Sequence, residues 1–205
     1  VIQRASDDED EKAQAVMKLA RAVCIDPANE QLRERVAERA EQLDAWERVI
    51  PIYLQGLEST DDPEVQSEIL ISVAEAYRNH LGDTASAISA YEQAVDITGN
   101  EEGLAKLQKL YGELELWEPL VEVLERRLEG EFDEEARTSL LNRIGMIRDE
   151  ILQQDEPAIR AYEELHDDDP NDLSVVDKLQ RLYRSTERWA DLETILHTKV
   201  DLLEE

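Results

Sequence analysis

The 205-residue chain carries 50 acidic and 22 basic side chains, a formal net charge of −28 at pH 7, with 41% hydrophobic residues. That charge excludes the basic stripe a phosphate backbone requires, and no apolar run approaches the ~20 residues needed to span a bilayer, so neither nucleic acid binding nor membrane insertion is expected. Cys24 is the single cysteine, which excludes an internal disulfide and a cysteine-based metal site and, with no signal-peptide core in the sequence, favours a reducing, cytoplasmic setting.

The first predicted element is a helix over about residues 8–25. The run "DDEDE" (7–11) is a solvated start whose carboxylates suit the helix dipole, and Asp26-Pro27 closes the element. A hairpin at about 28–60 follows. Its second half, "DAWERVIPIYLQGLES", sets Val49, Tyr53 and Leu57 about three, seven and eleven positions beyond Trp46, one stripe down a helix. The hairpin at about 61–99 opens on Asp62-Pro63, an N-cap with Pro at the first helical position. It turns at "LGD" (81–83), continues as "AISAYEQAV" and ends at Gly99-Asn100. At about 100–131, "ELWEPLVEVLERRLE" repeats the stripe with Leu120, Leu124 and Leu128 after Trp117. The hairpin at about 132–170 has Asp133 as its cap and "AIRAYEELHDDDP" as its close. The last, about 171–205, follows Pro170-Asn171-Asp172 and ends in "ERWADLETILHTKV", with Leu192, Leu196 and Val200 as its stripe.

These elements repeat. Ala87 and Tyr91 recur 71 residues on as Ala158 and Tyr162, and Leu70, Val73, Ala74 and Leu81 recur as Leu141, Ile144, Gly145 and Leu152. Trp46, Trp117 and Trp189 keep nearly the same interval. Each unit of about 71 residues therefore holds two helical hairpins of about 36, the signature of an α-solenoid in which no hairpin buries its face alone.

The residues resemble the tetratricopeptide repeat. Leu70, Val73, Ala74, Tyr77, Ala87, Tyr91, Ala94 and Gly99 fit the positions of its motif in order. Leu141, Ile144, Gly145, Ala158, Tyr162, Leu165 and Pro170 fit them again, with Arg148 in the place of Tyr77. Ala15, Leu19, Ala22 and Pro27 match the second half of a repeat. Both full matches carry one extra residue in the turn. The resemblance implies an all-α, right-handed superhelical solenoid of about 11 antiparallel helices, with a half-repeat at 8–27 ahead of the five hairpins. Trp46, Trp117, Trp189, Tyr77, Tyr91 and Tyr162 are its expected packing residues.

Nothing points to catalysis. His80, His166 and His197 are scattered without the i, i+4 spacing of a helical metal site, and neither a glycine-rich phosphate loop nor a Ser-His-Asp arrangement occurs. Cys24 reads as a small buried apolar residue. "HDDDPND" (166–172) reads as a turn and helix N-cap, since it lacks the Gly and distal Glu of a calcium loop. No cofactor, metal or enzymatic activity is expected.

In such arrays the first helix of each hairpin lines the concave side. The resemblance thus places Gln31, Glu34, Glu38, Glu41, Glu68, Ile71, Glu75 and Arg78 inward, then Lys109, Asn142, Met146, Asp177, Arg181 and Arg184. Members that grip a C-terminal carboxylate use a Lys and Asn set on this face; here Glu34, Glu38, Ile71 and Glu75 hold the equivalent places, against that use. The expected partner is a protein, a basic peptide or helix, at the acidic N-terminal end of the groove, which becomes mixed to basic near Arg181 and Arg184. The alternatives are a structural spacer or self-assembling array, or the regulatory arm of a larger protein. Helices at both ends lack partners, so the chain is expected to be an excised stretch of a longer repeat protein, able to associate through its exposed ends. The rival is a natural terminus capped by "ASDDEDEK".

Overall fold

Six helices begin where a short polar side chain turns back on its own backbone; ahead of Glu101–Glu113, Asn100 accepts from the Gly103 N–H at 3.0 Å, and the other five do likewise. Asn29 accepts from the Leu32 N–H at 3.1 Å, Asp62 from Glu64 at 3.0 Å, Asp83 from Ser86 at 3.1 Å, Asp133 from Ala136 at 2.9 Å and Asp172 from Ser174 at 2.8 Å. Each satisfies one of the amide donors a helix start leaves orphaned.

The computed structural model describes residues 14–204, within which the chain is all α. The helices are α1 (14–23), α2 (Glu30–Gln42), α3 (Trp46–Leu57), α4 (Pro63–Ala76), α5 (Thr84–Thr98), α6 (Glu101–Glu113), α7 (Trp117–Gly130), α8 (Glu134–Met146), α9 (Asp155–Asp168), α10 (Leu173–Ser185) and α11 (Trp189–Glu204). The expected start of the first helix, with "DDEDE" and "ASDDEDEK", lies outside the described residues. Among the described residues no helix is long and apolar enough to cross a membrane.

The extra residue in the two best-matching hairpins has a physical place. α4 and α8 each end in a π-helical turn, Tyr77–Leu81 and Ile147–Ile151. A π turn is how a helix accommodates one surplus residue without breaking its hydrogen-bond ladder. A left-handed residue then releases the chain towards the next helix: Gly82 at φ 66° in one case and Gln153 at φ 55° in the other.

Three further turns share a device. Asp44, Glu115 and Glu187 have φ of 47°, 55° and 57°, each two residues before its tryptophan. The following N–H reaches back five residues: Ala45 to the Ala40 carbonyl, Leu116 to Tyr111 and Arg188 to Tyr183, all at 2.9 Å. This is the Schellman closure, which satisfies the last carbonyls of a helix.

The chain divides into two compact units, one reaching Leu107 and one starting at Gln108, so the division falls inside α6. In the first, α5 packs along α4, and α3 also lies against α4. Tyr53, Leu70, Ala74 and Tyr91 are buried there, and the Trp46 ring stacks on His80 with centroids 5.2 Å apart. In the second, α8 and α10 both pack on α9, and α11 pairs with α10. Gly145 is needed at its place: a Cβ there would lie 2.6 Å from the buried Tyr162 ring. Burial pushes the phenols of Tyr91 and Tyr162 up to about 12.

Two expectations about packing need correcting. Trp189 is 60% exposed, whereas Trp46 is buried and Trp117 half-buried. Among the described residues no ring stacks on Trp189 as His80, from the following hairpin, stacks on Trp46. Cys24 is half-buried rather than enclosed; its thiol donates to the Ile52 carbonyl at 3.3 Å, and burial raises its pKa.

Candidate interaction surface

In the first unit α2, α4 and the start of α6 surround a recess of about 570 Å³. Glu30, Arg33, Glu34 and Ala37 reach it from α2, where spacings of three and four residues put them on one face. Glu68, Ile71, Ser72 and Glu75 reach it from α4, Tyr53 from α3, and Asn100 and Glu102 from the start of α6. Five carboxylates and one guanidinium thus line an opening with a partly apolar floor.

The charges are not equivalent. Arg33, itself buried, donates to Glu68 and to the Pro27 carbonyl, while the Tyr53 hydroxyl donates to the Arg33 carbonyl at 3.1 Å. A buried guanidinium is tolerated because both ends of its fork find acceptors. Lys106 donates to Glu75 and lies 3.7 Å from Glu102. The hydrogen bond to Glu75 raises its pKa, so the ammonium stays charged. Glu30 and Glu34 are exposed, and neither side chain has an ion-pair partner among the described residues.

Of the residues expected in a groove, Glu34, Glu68, Glu75 and Ile71 are brought together here. Glu38 and Glu41 continue along α2 beyond the lining, exposed, and Arg78 falls in the π turn, also outside it. In the second unit the expected residues stand on α6, α8 and α10. Lys109 lies 4.0 Å from Glu113 on its own helix, and Asn142 donates to the Thr138 carbonyl at 3.2 Å. Arg181 is bound to the buried Asp149 rather than presented free, while Met146 and Arg184 are exposed. A recess of about 490 Å³ in this unit is lined by Glu134, Arg137, Thr138, Leu165, Asp168, Asp169 and Asp172, none of them an expected groove residue. Among the described residues no group of three or more His, Cys, Asp or Glu could hold a metal ion.

Sequence reasoning passed over Arg33 and Asp149. Each is a charged side chain at a buried position, and a charge set into an apolar face demands a partner across the helix pair. That was the available signal.

The family model described as Tetratricopeptide repeat matches residues 69–105. No curated protein matches the chain. Among solved structures, MamA from Desulfovibrio magneticus RS-1 is 18% identical, covering 85% of this chain and 93% of that one at a TM-score of 0.42. The tetratricopeptide-like repeats of a Podospora anserina putative kinesin light chain are 15% identical, covering 86% and 96% at 0.43. YrrB, described as a tetratricopeptide protein with an unusual peptide-binding site, is 16% identical, covering 91% and 93% at 0.42. From midway along α4, through the π turn and α5, and into α6, residues 69–105 of this chain match the tetratricopeptide repeat.

Proposed function

We propose that the chain is a non-catalytic protein-interaction scaffold whose first unit takes a basic peptide or helix in the recess between α2, α4 and α6. One observation carries this reading: five carboxylates border the opening, and Glu30 and Glu34 among them are left without a cation among the described residues. Arg33 and Lys106 hold Glu68 and Glu75 in place, so that part of the rim is preformed, while the Glu30 and Glu34 side chains are ordered on binding. A Lys or Arg from a partner would complete the pairs at Glu30 and Glu34, while Ala37 and the edge of Ile71 offer apolar contact. Exposed pairs of this kind contribute about 0.2–1 kcal/mol each. They serve encounter rate and orientation more than affinity.

The test is fluorescence polarisation with labelled peptides of equal length, Lys/Arg-rich against Asp/Glu-rich. Basic peptides should bind, with affinity falling as salt rises, and the double variant Glu30→Gln/Glu34→Gln should weaken them about 2- to 30-fold. Retention of acidic peptides in preference to basic ones would defeat the proposal.

A further inference from the structure

Arg33 and Lys106 both pair with carboxylates of the acidic recess, in unlike surroundings. The Arg33 side chain is 9% exposed, and its guanidinium donates to Glu68 and to the Pro27 carbonyl. The Lys106 side chain is 34% exposed; from α6 it donates to Glu75 of α4 and lies 3.7 Å from Glu102. Glu75 and Glu102 line the recess, and Lys106 itself does not. Breaking a buried, doubly held ion pair strands a charge out of water, at heavy cost. Exchanging one exposed pair for another costs little, because water and salt screen both alike.

We infer that Lys106 is an internal competitor: in the free chain its ammonium occupies carboxylates that a partner's Lys or Arg takes over on binding. This rests on the reading of the recess as a basic-peptide site and names what regulates it. A Lys ammonium is a compact charge on a flexible stem. It can leave Glu75 without disturbing the packing of α6, which is held by the buried Leu104 and Leu107. The hydrogen bond to Glu75 raises the Lys106 pKa, and that attraction must be overcome. Arg78, in the π turn, is a positive charge close enough to act on Lys106 in the opposite sense, which eases its departure. Once Lys106 has moved, Glu75 and Glu102 join Glu30 and Glu34 as acceptors for the partner. A partner with clustered cations therefore gains more than one with a single Lys or Arg, because it can satisfy both pairs of carboxylates.

The test is fluorescence polarisation with a labelled Lys/Arg-rich peptide and the variant Lys106→Met, which keeps an apolar stem and removes the charge. Affinity should rise about 1.5- to 5-fold, the worth of one exposed ion pair, with helicity unchanged by circular dichroism. In a Glu75→Gln/Glu102→Gln background the same substitution should gain nothing further, whereas a mere change of net charge would help equally in both backgrounds. A second readout needs no variant at Lys106. In nuclear magnetic resonance, saturating peptide should move the side-chain ε signal of Lys106 in the direction that Glu75→Gln moves it. Affinity of Lys106→Met equal to or below that of the native chain, an equal gain in both backgrounds, or a Lys106 signal that the peptide leaves unmoved would overturn the inference, while the recess stands as a basic-peptide site. Failure of basic peptides to bind any of these chains would remove both.

Discussion

Tyr53 and Tyr162 are both buried, yet their hydroxyls differ. Tyr53 donates to the Arg33 carbonyl at 3.1 Å, whereas the Tyr162 hydroxyl is enclosed without a partner. Removing an oxygen that makes a bond forfeits about 1 kcal/mol; removing one that is desolvated and unpaired is neutral or gains a similar amount. Urea unfolding should therefore show Tyr53→Phe destabilised by about 1 kcal/mol and Tyr162→Phe unchanged or stabilised. Equal losses at the two sites would mean that Tyr162 has an acceptor, such as a bound water. That these tyrosines pack was legible from their recurrence in the sequence. Which hydroxyl finds an acceptor was not, because it depends on the Arg33 carbonyl, which a neighbouring helix brings within reach.

Helix starts were legible one by one, since Asp62-Pro63 and Asp133 act through their immediate neighbours. The helix ends at Asp44, Glu115 and Glu187 were not. Sequence reasoning looks for glycine where φ is positive, and here acidic residues stand instead. The missed signal was an acidic residue two places before each tryptophan. A left-handed conformation costs a non-glycine residue about 1 kcal/mol. Glu115→Gly should accordingly stabilise the protein by about 0.5–1 kcal/mol, the relief outweighing the greater freedom glycine gives the unfolded chain. The midpoint of a denaturant melt measures it. A loss of stability would show that the Glu115 side chain makes a contact worth more than the strain.

Over the whole molecule, the all-helical layout could be read from composition and period, because each hairpin repeats the same packing problem. The groove was only partly readable. Glu34, Glu68 and Glu75 line one recess, but the register says nothing about which charges find partners across helices, as Arg181 does with Asp149. With the chain in two compact units, damage to one core should stay largely within it. Tyr91→Ala removes a fully buried aromatic and should cost about 3–5 kcal/mol. Hydrogen exchange should then accelerate in α3 to α5, while α8 to α10 keep their protection. Loss of all helicity from this one change would contradict an array and favour a single cooperative bundle.

The π turn at Ile147–Ile151 lies between Gly145 and Tyr162, two residues that must meet. One residue of α-helix corresponds to a rotation of about 100° and a rise of about 1.5 Å. The surplus residue therefore sets the phase of α9: with one fewer, the face carrying Tyr162 would turn away from the gap that Gly145 leaves. A small residue, a ring and the bulge between them form a single specification, in which the length of the connection matters as much as the identity of either end. Residues can be exchanged within the bulge more freely than they can be added or removed.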